Sequence, residues 1–226
     1  MADAHVSLRS TIWSTSVLHA DRAVVALLTT LTLAADPSDT AGRRQVTGHY
    51  NVPRAHAAAP RAPSASNLVT NPGFETGKID GGWYDCGDES ARVTISHPYS
   101  GGYDEFSGTR SGSGEPVGNS GVCQAITIPP AGVLTAQLYQ LSNESDTSFA
   151  YQEADLLDDS GSVVVNLYKT VNYKPAWVRG TWNLGAYAGR TFWLYFGVHG
   201  DGYQQRTTQQ FVDDVVLTGG GTTSRE

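Results

Sequence analysis

Three groups of side chains in this 226-residue chain have the types and spacing to do chemistry. His199 stands two residues before Asp201 in Val198-His199-Gly200-Asp201-Gly202, a spacing that suits half of a catalytic set or a pair of metal ligands. Glu153 and Asp155 are also two apart, which on a strand puts both carboxylates on one side and imitates the acid pair of a glycosidase. The third group is aromatic: Trp83 and Tyr84 beside Asp85, Tyr99 and Tyr103 among Gly and Ser, Tyr173 before Lys174, and Tyr203 with Gln204, Gln205 and Arg206. A flat ring stacks on the C–H face of a sugar while neighbouring amides, carboxylates or guanidinium groups bond its hydroxyls.

The first two groups lack the companions that catalysis needs. No Gly-x-Ser-x-Gly elbow, His-Glu-x-x-His or Cys/His cluster accompanies His199. The two carboxylates of a glycosidase normally come from different elements across a cleft, and Glu153 and Asp155 share one, so they read as a buried structural pair. The sequence has no phosphate loop or dinucleotide fingerprint either. No catalytic residue is expected, and a small hydrolase using His199 with Asp201 or Glu153 is the least favoured reading.

Composition bounds the fold and the partners. With 25 Gly, 10 Pro, 11 Tyr and 5 Trp, the chain favours short strands and many turns over long helices. A net charge of -7 and a pI near 5.3 leave no basic surface for phosphates, so neither nucleic acid nor an anionic lipid surface is expected as a partner. Charge and composition change together near residue 66: residues 1–66 hold six Arg, four Asp and no Phe, whereas the chain from Asn67 onward carries nine Lys and Arg against eighteen Asp and Glu. The run His56 to Ser66, rich in Ala, Pro and Ser, reads as a linker, because it cannot bury enough apolar area to offset its chain entropy. Upstream, Ala23 to Ala35 is too short to span a bilayer but suits the apolar region of an export signal. The stretch before it is long and carries Asp3 and Asp21, so residues 1–66 are expected to be an atypical leader and linker, mostly disordered, with a plain disordered tail as the alternative. The organisation expected is therefore residues 1–66, a β-domain over 67–218, and a flexible tail over 219–226.

Two cysteines, Cys86 and Cys123, are an even pair in a chain with a candidate export signal, and one disulfide is expected, with two buried thiols as the alternative. It would close a loop of 37 residues and stabilise the fold by roughly 3–4 kcal/mol. Strand patterns recur through the domain at Arg92–Ser96, Val122–Ile128, Val133–Leu141, Phe149–Leu157, Ser162–Tyr168, Trp177–Leu184, Thr191–Val198 and Phe211–Thr218. Asp158-Asp159-Ser160-Gly161 reads as a hairpin turn and Phe192 to Phe196 as a central strand covered on both faces. Trp177, Trp182 and Trp193 read as core, with core also the alternative for Trp83, and Tyr99 to Ser120 reads as a flexible loop or poorly patterned edge strands. Seven or eight strands give an all-β sandwich of two antiparallel sheets.

The opening Asn67-Leu68-Val69-Thr70-Asn71-Pro72-Gly73-Phe74-Glu75-Thr76-Gly77, followed by Gly82-Trp83, and the closing Phe211-Val212-Asp213-Asp214-Val215-Val216-Leu217 resemble the first and last strands of jelly-roll, galactose-binding-like carbohydrate-binding modules. Modules of this kind are appended to secreted bacterial hydrolases and peptidases. The resemblance implies a non-catalytic, secreted module that binds polysaccharide or glycan, monomeric or part of a larger secreted protein, without membrane insertion. It also implies a structural calcium, held by Glu75 and by Asp213 or Asp214 with carbonyls near Thr76 and Gly77, the alternative being that Glu75 and one Asp only hydrogen-bond turn amides; adjacent aspartates on a strand face opposite ways, so only one should reach the ion. Ligand contacts are expected from Trp83, Tyr84, Tyr99, Tyr103, Tyr203, Gln205 and Arg206. The rival reading is an adhesion, protein-contact or spacer module without a sugar site.

Overall fold

The computed structural model describes residues 43–54, 67–109 and 114–219. The apolar run 23–35, the linker run 56–66 and the tail from residue 220 lie outside the described residues. The described residues form ten strands: β1 (Trp83–Asp85), β2 (Arg92–Thr94), β3 (Asp104–Gly108), β4 (Val117–Thr127), β5 (Val133–Ser142), β6 (Tyr151–Leu157), β7 (Val163–Thr170), β8 (Lys174–Asn183), β9 (Thr191–Asp201) and β10 (Thr208–Thr218). They form two five-stranded antiparallel sheets, β1-β4-β9-β6-β7 and β2-β3-β10-β5-β8. Early strands lie beside late ones in both sheets, β4 against β9 and β3 against β10, which is the jelly-roll arrangement.

The alternation of each strand sorts its residues between the sheets and the outside. Leu134, Ala136 and Leu138 of β5, Leu194 and Phe196 of β9, and Val212, Val215 and Leu217 of β10 meet in one apolar core. The core turns polar along its length. The buried Gln210 amide bonds Gln140 and receives the Tyr168 hydroxyl at 2.6 Å, so these interior polar groups satisfy one another. β9 is the middle strand of its sheet and is buried along nine successive residues, as the Phe192 to Phe196 run predicts. Its inner face meets the core, and its outer face carries Trp193 and Tyr195 into a second apolar cluster with Leu157 and the Cys86–Cys123 disulfide, whose Cα atoms are 5.8 Å apart.

The β6–β7 hairpin turns where expected. Asp158 Oδ1 accepts from the amides of Ser160 and Ser162, both at 2.9 Å. The Gly185 to Gly189 connector contains a single 3₁₀ turn, Gly185–Tyr187. Two expectations change. Asn67 to Val69 pairs with no ladder; it lies beside β10 through the Leu68 amide to the Leu217 carbonyl and the Asn67 side chain to Val215 and Leu217. The Gly/Ser-rich stretch holds β3, an interior strand buried at all five positions. Its pattern is hidden because Asp104 and Glu105 are buried inside it, Asp104 bonded by the Thr94 hydroxyl at 2.6 Å and Glu105 by the Ser107 hydroxyl.

Candidate functional site

On the second sheet, the inward set Leu134, Ala136 and Leu138 of β5 leaves Gln137 and Tyr139 facing out. Across the ladder Gln137 pairs with Arg179 of β8, and Trp177, two residues before Arg179, shares its side. Trp177 lies edge-on to Tyr139 at 5.7 Å, and Tyr99 edge-on to Trp177 at 5.8 Å. Tyr99 is 48% exposed. Deeper in the face, His97 packs on Tyr139 at 4.6 Å and on Phe211 at 4.4 Å. The result is a row of rings with a planar amide and a guanidinium beside it. Trp177 is therefore an outward, half-buried residue and not core; the alternation of β8 shows in its sequence, but which side faces out does not.

The loop that carries Tyr99 is fastened by carboxylates. Asp213 Oδ2 accepts from the amides of Tyr99 (2.9 Å) and Ser100 (3.1 Å), and Asp214 Oδ1 from the Ser100 hydroxyl (2.9 Å). Glu75 accepts from the amides of Gly102 and Tyr103, the shortest contact being 3.0 Å, and Asp104 from the amide of His97 at 3.2 Å. The adjacent aspartates reach the same serine, contrary to the opposite-face expectation. β10 shifts register between Asp213 and Val216, and Asp214 adopts a left-handed φ of 46°, which turns both side chains one way. Burial first, and then the neighbouring Asp214 charge, push the Asp213 carboxyl up to about 6.

These three carboxylates converge near Gly73, where a Cβ would lie 3.2 Å from an Asp213 oxygen, 3.6 Å from an Asp214 oxygen and 3.6 Å from Glu75 Cγ. An all-oxygen donor set suits a hard cation. Much of that set is already engaged by loop amides, and among the described residues no group of three or more acidic, His or Cys side chains is arranged as a ligand set by itself. A cation here would draw on backbone carbonyls as well.

The remaining candidates do not gather in one place. Trp83 is 2% exposed, packed on Phe74 at 5.1 Å with its indole N–H donated to the Asn71 carbonyl, so it is core and presents no face to a ligand. Tyr84 is 39% exposed at the edge of the first sheet, edge-on to Trp193 and beside a surface pocket shared with Ile79, Asp80 and Asp85. The Tyr103 ring lies over Gly77, where a Cβ would come within 3.1 Å of it. Tyr203 has the Arg43 guanidinium 4.8 Å from its ring centre and its hydroxyl on the exposed Gln205, while Arg206 donates to the Asn143 carbonyl. Tyr173 is 69% exposed with no ring partner among the described contacts.

The would-be catalytic groups are otherwise engaged. His199 Nδ1 bonds Asn119 Oδ1 at 2.7 Å and its ring stacks on Tyr151, while Asp201 accepts from Arg43. Glu153 and Asp155 are buried as a pair, and the Tyr50 hydroxyl lies 2.9 and 3.3 Å from them. Burial drives both carboxyls up, Asp155 to about 6. Sequence reasoning missed the residues that hold these groups. Arg43 and Tyr50 belong to residues 43–54, which lie along the first sheet although the sequence groups them with the leader; Tyr50 being the only Tyr before Asn67 was the available signal.

No family model and no curated protein matches the chain. Among solved structures it is similar to a family 61 carbohydrate-binding module in complex with β-1,4-galactotriose, at 16% identity over 69% of this chain and 100% of that one, TM-score 0.49. It is also similar to the C-terminal family 22 carbohydrate-binding module of Clostridium thermocellum Xyn10B, at 15% identity over 72% and 99%, TM-score 0.44. A third is the K1 cleaved adhesin domain of Lys-gingipain from Porphyromonas gingivalis W83, at 15% identity over 66% and 96%, TM-score 0.43.

Proposed function

We propose that this chain is a secreted, non-catalytic carbohydrate-binding β-sandwich whose sugar-facing surface is the Tyr139, Trp177 and Tyr99 row of the second sheet. The observation that carries the reading is the open end of that row: an exposed Tyr99 against an outward Trp177, flanked by Gln137 and Arg179. Rings supply stacking and the amide and guanidinium supply directional bonds to hydroxyls, the division of labour a sugar requires. The disulfide supports an oxidising compartment. Calcium at Glu75, Asp213 and Asp214 belongs to the same proposal; it would neutralise like charges beneath the loop and fix Tyr99, whose own amide is held by Asp213.

The test is retention of the full chain on insoluble polysaccharides and a glycan array, with calcium and with chelator. Wild type and Tyr203→Ala should be retained by the same glycan, and Tyr99→Ala and Trp177→Ala should not. A folded, calcium-stabilised sample that no glycan retains would move the reading to a protein-contact module.

A further inference from the structure

Residues 43–54 add no strand to either sheet, yet side-chain chemistry fixes them along the outer face of the first. Arg43 is enclosed, its side chain 1% exposed. Its Nε donates to Asp201 at 2.8 Å, Nη1 and Nη2 donate to the two oxygens of Glu144 at 2.9 and 2.7 Å, and Glu115 lies 3.5 Å away. The rings of Phe149 and Tyr203 are centred 4.6 and 4.8 Å from the guanidinium carbon. This is a cage for a planar cation: paired acceptors match the guanidinium fork and rings cover it, which a lysine could not exploit equally. Burial pushes the Glu115 carboxyl up to about 9, with Asp201 and Glu144 adding to it, and Glu115 stands farther from the guanidinium than the other two acids, so Glu144 and Asp201 are the ion's nearest partners.

The rest of the segment is read as closely. At Gly48 a Cβ would fall 2.1 Å from Asn119 Oδ1 and 2.7 Å from His199 Nδ1, so the backbone touches the floor and only glycine fits. Tyr50 sets its hydroxyl between Glu153 and Asp155 and its ring edge-on to Tyr195 at 4.9 Å. The His49 amide donates to Asp88 at 2.9 Å, and Asn51 donates to the carbonyls of Cys86 and Gly87 at 3.0 and 2.8 Å. The floor carries six acids, Glu115, Glu144, Asp201, Glu153, Asp155 and Asp88, of which Glu144 and Asp201 pair with Arg43, whereas residues 43–54 contain three Arg and no acid.

We propose that the outer face of the first sheet is a peptide-binding groove for an extended basic segment bearing Arg, Gly five residues on and Tyr two beyond that, and that residues 43–54 are the ligand it holds in cis. All ten strands and the disulfide lie within residues 83–218, so the groove is complete without its occupant. The occupant joins the body through a run of Ala, Pro and Ser, and of its contacts given above only Asn51 to Cys86 links main chain to main chain.

The experiment uses the full chain with Arg43→Ala and a protease site inserted between Ala58 and Ala59, so that its own weakened segment can leave after cutting. A labelled peptide of residues 43–54 is then added and its binding followed by fluorescence anisotropy, with circular dichroism reporting the fold of the cut protein. The native peptide should bind saturably, and peptides carrying Arg43→Ala or Gly48→Val should bind at least tenfold more weakly. Equal binding of the variant peptides, or no binding to a cut protein that stays folded, would overturn the proposal. Unfolding on cutting would overturn it too, by making the segment part of the fold.

Discussion

On the first sheet, the outward rings of β9, Trp193 and Tyr195, are 1% and 0% exposed; on the second, Trp177 of β8 faces outward half-buried and Tyr99 beside it is 48% exposed. Both faces come from the same alternation, and both carry rings with polar groups beside them. What separates them is the chain laid across each. Residues 43–54 cross the first sheet and are tied down by buried ion pairs, whereas the loop 95–103 covers only part of the second and is tied by carboxylates at its base. Whether an outward aromatic can meet a ligand is thus decided by a distant segment and not by its own strand.

The largest effect should come from breaking the tie on the first face. Arg43→Ala leaves Glu144 and Asp201 buried without their cation, and should cost about 3–5 kcal/mol in urea unfolding. A loss under about 1 kcal/mol would mean that the segment contributes little to holding that face closed. On the second face, Trp177→Ala should leave stability within about 1 kcal/mol, since the ring is only partly buried on an outward face, while lowering glycan affinity tenfold or more. Equal losses of stability from both variants would erase the distinction between a sealed and an open face.

A smaller effect, from pH, samples both faces. Asp155 under Tyr50 and Asp213 under the Tyr99 loop both have carboxyls raised to about 6 when folded. An acid raised on folding favours the protonated form, so each contribution is complete below about 3.8 and is lost as pH rises through about 6. Melting temperature compared with wild type between pH 4 and 7 should therefore fall less steeply in Asp155→Asn and in Asp213→Asn. His199, which burial lowers, acts in the opposite sense and cancels in these differences. The faces part on calcium: it should raise the melting temperature of wild type and Asp155→Asn but not of Asp213→Asn. The smallest effect is at Tyr203→Ala, which removes a ring from the Arg43 cage; it should cost about 1–2 kcal/mol and leave glycan retention unchanged.

Much of the scaffold was legible because it is local. The Asp158 to Gly161 turn follows from its residues and the doubly covered β9 from its unbroken apolar run, while the cysteine pair rested on an even count beside a candidate export signal. β3 was not legible, because buried Asp104 and Glu105 look like a loop until their partners Thr94 and Ser107 are known. The site was less readable than the fold. Tyr99 is exposed as expected of a loop ring, Trp83 takes its core alternative and not the ligand role, Trp177 turned outward, and the Tyr203 ring lies against a guanidinium from 160 residues upstream. Arg43 finds its carboxylates 101 and 158 residues away, a match that no window of sequence contains.

On the proposed function, the second face meets the ligand while the first stays closed by its own segment. Hydrogen exchange on the full chain, with and without the glycan that retains it best, tests both halves at once. The account predicts slowed exchange at residues 97–103 and along β8 near Trp177, with residues 43–54 unchanged. Slowed exchange on the first sheet, or release of residues 43–54 when glycan is added, would contradict it and place the sugar on the other face.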